Sequence, residues 1–171
     1  FCTDNSIHYD AFCDDFGPMN MRSIMQFVET LEAEIHQCMD CGCGQLVYSV
    51  KQGRRPFTNA AFLVGTYLIL KFNLVPDEVS AIFKNASPDD FEGYRDATYS
   101  VADFRLRLID CWQGLHRAKS MGWIALPSTS DSTDWGLIDS EEYAHYDSPL
   151  NADLHIVVPN KFVAFRGPRN L

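Results

Sequence analysis

Apolar residues at Met21, Ile24, Met25, Val28, Leu31 and Ile35 recur at spacings of three and four, which predicts an amphipathic helix ending near Cys38. Asn20 stands where its N-cap belongs. A second helix is predicted from Phe57 to Phe72, with Thr58 or Asn59 as cap. Its apolar residues (Ala60 to Val64, then Tyr67 to Leu70) cover nearly every face, so it belongs in the middle of the domain. Pro76 at a first-turn position opens a third helix with Val79, Ile82 and Phe83 on one side. A fourth is expected from about Ala102 to Ser120, with Leu106, Ile109, Trp112 and Leu115 inward. Short strands are predicted at Ile7–Tyr9, Leu46–Val50, Leu154–Val158 and Phe162–Phe165, the last two separated by Pro159-Asn160. The segment 87–100 and the Ser/Thr/Asp-rich stretch 127–133 are turn and loop. Strands mixed with buried and amphipathic helices predict an α/β fold, a central mixed sheet flanked by helices.

Composition narrows the class. A chain of 171 residues, 46% hydrophobic and 13% aromatic, has the length and apolar content for one domain with a sizeable core. Its first residue is Phe1, which suggests a fragment of a longer protein. The formal net charge of -9 argues against nucleic acid as a partner, because phosphate backbones are bound by clustered Lys and Arg. Acid lies in the C-terminal third and at Asp14-Asp15 and Asp89-Asp90. The longest apolar segment, Ala60 to Leu70, is far short of the roughly 20 residues a bilayer requires, so no membrane association is expected. Cys38, Cys41 and Cys43 share one short loop, while Cys2, Cys13 and Cys111 are scattered. With a large apolar core, disulfide staples are unnecessary and a reducing compartment is favoured.

The chemistry is concentrated in Tyr48-Ser49-Val50-Lys51-Gln52-Gly53-Arg54-Arg55, where an apolar run opens into a basic turn just before the buried helix. Strand, tight loop and helix N-terminus resemble the phosphate-binding loop of cysteine-dependent phosphatases. Here Ser49 stands at the nucleophile position and Arg55 at the arginine position. A thiol near pKa ~8.5 can be lowered to a thiolate by such a loop; a serine hydroxyl needs an adjacent base, which Tyr48 does not supply. The loop Ser49, Lys51, Arg54 and Arg55 is therefore read as degenerate: an anion site at a helix N-terminus, or a solvated or interface-packed basic turn. Cys38-x-x-Cys41-x-Cys43 superficially suggests zinc, but only three thiols are local and a structural site wants four ligands. A reduced helix-to-strand loop is the reading preferred, with no metal and no cofactor. His145, between tyrosines, is read as structural, and Arg95-Asp96 as a local ion pair.

Six ordered blocks then carry a resemblance across nearly the whole chain. They are Asp15-Phe16-Gly17-Pro18; Asn59 to Gly65; Tyr94-Arg95-Asp96-Ala97; Asp110 to Gly114; Glu142-Tyr143-Ala144-His145-Tyr146; and Val158 to Phe162 with Ala164-Phe165 and Gly167-Pro168. The chain resembles the N-terminal, non-catalytic domain of the mitotic-exit dual-specificity phosphatases of the cell-division-cycle-fourteen type. The resemblance implies one phosphatase-like domain over 1–171, with a catalytic domain C-terminal to it carrying the Cys, Arg and general acid. It implies substrates phosphorylated on Ser-Pro or Thr-Pro sites by cyclin-dependent kinases, with basic residues downstream. It also implies an intracellular location: nucleus or nucleolus, cytoplasm or spindle. An acidic rim on the substrate cleft carries over to Asp147 and Asp153. A third rim position falls on the uncharged Ala144, with Glu141 and Glu142 close enough to substitute. The alternative is a free-standing pseudophosphatase that binds phosphopeptides or acts as a scaffold.

Overall fold

The computed structural model describes residues 1–129, 132–158, 160–165 and 167. The stretch 127–133, Pro159 and the Gly167-Pro168 block thus fall partly outside the described residues. The chain divides into two compact units, Phe1–Ser120 and Met121–Leu171. Among the described residues it is mixed α/β, with five α-helices and three two-stranded antiparallel sheets.

Helix α1 spans Met21–Asp40, and the Asn20 side chain accepts from the Ser23 N–H at 2.9 Å, closing its first turn. Helix α2, Arg54–Phe72, is the core of the first unit, with Leu63, Thr66 and Ile69 each at most 1% exposed. It contacts α1, α3 (Pro76–Ile82) and α4 (Leu108–Ser120). It ends on Asn73 in the left-handed conformation, φ 58°. The Lys119 ammonium reaches back from α4 to the Ile69 and Leu70 carbonyls and to Asn73 Oδ1, at 2.6–2.7 Å. These charge-assisted bonds cap carbonyls the helix cannot satisfy itself. Phe83, just past α3, stacks on Trp112 of α4 with ring centroids 5.6 Å apart.

Several sequence expectations are corrected. Thr58 and Asn59 do not cap α2, which begins four residues earlier behind Gly53, whose φ is 140°. Both are instead buried within the helix and serve as docking points for other segments. Thr58 Oγ1 accepts from the Glu92 N–H, while Asn59 donates to the Gly17 carbonyl and accepts from the Tyr94 hydroxyl. Helix α4 begins at Leu108 because Arg105–Leu106 (β2) pairs with Tyr94–Arg95 (β1). Its start is fixed by Asp110, which accepts from the Arg107 N–H and guanidinium.

No central mixed sheet appears among the described residues. Ile7–Tyr9 is not a strand, because the Ser6 and Ile7 N–H groups both turn back to the Thr3 carbonyl. Leu46–Val50 contributes a single parallel bridge, Cys2 to Ser49, so α2 packs among helices rather than on a strand. The hairpin Leu154–Val158 (β5) and Phe162–Phe165 (β6) forms with the boundaries predicted from the two apolar runs. In the second unit, Asp134–Trp135 (β3) and Ile138–Asp139 (β4) make a two-residue hairpin turning on Gly136, φ 78°. The fifth helix, α5, is Ser140–Asp147.

Candidate functional site

The basic segment enters α2 directly: Arg54 and Arg55 are its first two residues, not part of an open loop. From there each guanidinium is directed at a protein acceptor. Arg54 bonds the Phe91 carbonyl through both Nε and Nη2. Arg55 Nε donates to Glu92 Oε1 at 2.8 Å and its Nη2 to Asp14 Oδ1 at 2.9 Å, with the guanidinium carbon 5.4 Å from the centre of the Phe16 ring. Asp14 also accepts from Arg95 Nη1 at 2.8 Å, so one carboxylate joins two arginines from distant parts of the chain. The two carboxylates and their hydrogen bonds hold the Arg55 guanidinium above its ordinary pKa against the opposing effect of burial, so it remains a cation. An anion approaching the Nε–Nη2 edge of Arg55 must compete with Glu92 and Asp14.

Ser49 is exposed, and its hydroxyl donates to the Phe1 carbonyl at 3.3 Å. Its N–H bonds the same carbonyl at 3.0 Å. That hydrogen bond leads to no base, and activation of a hydroxyl requires one. Lys51 is exposed beside it. A cavity of about 250 Å³ opens between Tyr48–Lys51, the first turns of α2 and residues 3–19; Arg55 and Asn59 line it, Ser49 does not. At its wall lies Asp15, buried, accepting from the Tyr9 hydroxyl at 2.6 Å and the Cys13 N–H at 2.8 Å. The backbone hydrogen bond from Cys13, followed by that from Tyr9, lowers the Asp15 carboxyl to about 2. Tyr9 is raised to about 12, by burial first and by the Asp15 hydrogen bond second.

The rim candidates lie in the second unit. Glu141 and Glu142 occupy the first turn of α5, where the helix dipole favours negative charge; the Asp139 side chain caps that turn through the Glu142 N–H at 2.7 Å. Asp147 is the last residue of the helix. Its side chain is 16% exposed and approaches His155 Nε2 at 3.4 Å. Asp153 sits just before β5 in the left-handed conformation, φ 49°, with its N–H on the Ser148 carbonyl. At about 100° per residue, Glu141, Ala144 and Asp147 follow one another along a slanted ridge of α5. Ala144 is the uncharged middle of that ridge. The four acids therefore occupy two ends of a short helix and a following turn.

The Asn151 side-chain amide donates to the His145 carbonyl at 2.7 Å and lies 3.3 Å from the same residue's ring Nδ1. Among the described residues, no group of three or more His, Cys, Asp or Glu is placed to hold a metal ion, and no helix is long and apolar enough to cross a membrane. Sequence reasoning missed Glu92 and Asp14 as the partners of Arg55. Their positions 37 and 41 residues away in the chain carry no local signal.

Residues 1–118 match the family described as "Dual specificity protein phosphatase, N-terminal half". Over 168 residues, 98% of this chain, the sequence is 29% identical to the mouse protein named dual specificity protein phosphatase CDC14A, covering 26% of that protein. It is 29% identical over 97% of its length to the Caenorhabditis elegans tyrosine-protein phosphatase cdc-14, covering 23% of it. Against the Candida albicans tyrosine-protein phosphatase CDC14 the identity is 29% over 99% of this chain and 29% of that one. The chain thus spans about a quarter of the length of these relatives. By sequence the chain belongs to the dual-specificity protein phosphatase N-terminal-half family, of the CDC14 type.

Proposed function

We propose that this chain is the non-catalytic, substrate-selecting half of a dual-specificity protein phosphatase active in the cell cycle. A single observation carries the reading. The segment leading into α2 has a hydroxyl at Ser49 bonded to a carbonyl, and an arginine at Arg55 already bound by Glu92 and Asp14. Such a segment has no activated nucleophile, and carboxylates already hold one edge of its arginine. A catalytic domain following in the same polypeptide supplies the thiolate, the arginine and the general acid.

The acidic rim of Asp147, Asp153, Glu141 and Glu142 gives this half its role. Carboxylates at a cleft edge attract a Lys or Arg following a phosphorylated Ser-Pro or Thr-Pro site, the product of cyclin-dependent kinases. The exposed carboxylates Glu141 and Glu142 would contribute about 0.2–1 kcal/mol each. The exposed apolar face of β6, with Val163 at 50% and Phe165 at 68%, supports a partner domain packing there. The parent enzyme would act in the nucleus or nucleolus, the cytoplasm or at the spindle.

The commitments of Arg54 and Arg55 weigh against the second reading, a free-standing phosphopeptide scaffold. The test is to assay the chain alone with a generic phosphate ester. No turnover is expected, and turnover that survives Ser49→Ala would require a different nucleophile. A His-Cys-x5-Arg motif encoded after Leu171 is expected; a stop codon there favours the scaffold.

A further inference from the structure

Helix α1 ends in a cap that places three thiols together. The Cys43 N–H bonds the Cys38 carbonyl at 2.8 Å and the Gly42 N–H bonds the Met39 carbonyl at 3.1 Å. With Gly42 at φ 69°, this is a Schellman motif, in which the residue two past the cap folds back over the last helical turn. An apolar pair normally makes the contact across that fold. Here cysteines stand on both sides, and a third occupies the cap itself. Cys38 Sγ donates to the Cys43 carbonyl at 3.3 Å, and Cys41 Sγ lies 3.3 Å from Cys43 Sγ. Cys41 and Cys43 are exposed and reduced.

We propose that Cys41 and Cys43 are an oxidation site: a dithiol that a peroxide closes reversibly to a disulfide across Gly42. The two sulfurs need approach only from 3.3 Å to the about 2 Å of an S–S bond, a movement within side-chain rotation. One thiolate attacks the O–O bond of the peroxide; the bond breaks, a sulfenic acid forms, and the departing oxygen leaves as water (or as an alcohol from an organic peroxide). The second thiolate attacks that sulfur, the S–O bond breaks, and a second oxygen leaves as water. Two electrons pass from the sulfurs to the peroxide, and a dithiol reductant returns them.

The other cysteines serve as internal controls. Cys2 is exposed without a cysteine partner, so its sulfenic acid has no neighbour with which to close. Burial pushes the Cys111 thiol up to about 11, which keeps it from the reactive thiolate form. The hydrogen bond between Cys41 and Cys43 raises Cys43 as well, so closure should accelerate with increasing pH.

The test treats the chain with hydrogen peroxide, blocks remaining thiols with an alkylating agent, and maps disulfides by mass spectrometry. The expected result is a loss of two hydrogens per chain, located in a Cys41–Cys43 bond and reversed by dithiothreitol. Cys38→Ser should leave the rate within about twofold of wild type, while Cys41→Ser and Cys43→Ser should each lower it by about tenfold or more. Phenylarsine oxide, which bridges adjacent dithiols, should protect the wild type. The proposal is overturned if the bond forms between Cys38 and either partner. It is equally overturned if Cys41→Ser forms an intramolecular disulfide at the wild-type rate, or if Cys41 and Cys43 stop at separate sulfinic acids.

Discussion

Gly65 of α2 lies against the Trp112 indole, and a Cβ at position 65 would overlap the ring near its nitrogen. The same nitrogen donates to the Phe62 carbonyl at 3.2 Å, so the indole is held flat on the helix backbone. Both residues belong to sequence blocks that mark the family, and this contact gives the physical reason for their pairing. Gly65→Ala should therefore destabilise, although alanine in an exposed helix gains about 1 kcal/mol over glycine. Overpacking a rigid buried ring costs about 1–3 kcal/mol on its own scale, and the net change should be a loss. Urea denaturation of Gly65→Ala, Trp112→Phe and the double variant checks it. The double variant should lose less than the sum of the two singles.

Asp15 gives the fold a defined acid limit. Its carboxyl is lowered from the ordinary 3.8 to about 2, so its contribution is present above pH 4 and lost as pH falls from 4 to about 2. Tyr9 sets the opposite edge. Raised from 10 to about 12, it contributes below pH 10 and loses that contribution as pH rises to about 12. Thermal melts between pH 2 and 5 should show a steeper decline in wild type than in Asp15→Asn. Parallel curves would mean that Asp15 is not the group responsible.

A thiol introduced at position 49 should not confer catalysis. Ser49→Cys provides a sulfur, but Arg55 remains bound to Glu92 and Asp14. The isolated chain carrying Ser49→Cys should show no measurable hydrolysis of an aryl phosphate. Adding Asp14→Asn and Glu92→Gln should raise affinity for sulfate by about tenfold, the equivalent of 1.4 kcal/mol, as measured by calorimetry. Unchanged sulfate affinity would show that the two carboxylates do not occupy the anion position.

The β5–β6 hairpin predicts an interface. Leu154 pairs with Phe165 and Ile156 with Val163, which places these four apolar side chains on one face. His155, on the other face, packs on Tyr143 of α5 with ring centroids 5.4 Å apart. Phe165→Ser and Val163→Ser should leave the isolated chain's melting temperature nearly unchanged and lower that of the full-length protein. Equal effects in both would mean that no second domain covers this face.

How much was legible follows from where the signals lie. The helical period gave α1 and its Asn20 cap because both are local, and the β5–β6 boundaries followed from Pro159-Asn160. The uniformly apolar run marked α2 as the core helix. Its start was misplaced because Thr58 and Asn59 look like caps, and only Glu92, Gly17 and Tyr94 reveal their use as buried anchors. The start of α4 was likewise set by strand pairing that no local pattern encodes. Ser49 suggested a phosphate-loop likeness without a thiol, a reading that rests on resemblance. The fate of Arg55 depended on two carboxylates distant in sequence, and the placement of the candidate rim acids on α5 and in the turn after it required the helix to be placed first.

Substrate selection by the rim is the central claim, and paired phosphopeptides measure it. In the full-length enzyme, kcat/KM should be higher for a phosphoserine-proline peptide with a downstream Lys than for its uncharged counterpart. The difference should shrink as salt shortens the Debye length below about 10 Å. Ala144→Glu, which fills the ridge between Glu141 and Asp147, should enlarge it. Asp147→Lys with Asp153→Lys should erase it, leaving kcat/KM for the uncharged peptide near wild type. If that double variant discriminates as well as wild type, these acids do not select substrates and the proposed role of this half is wrong.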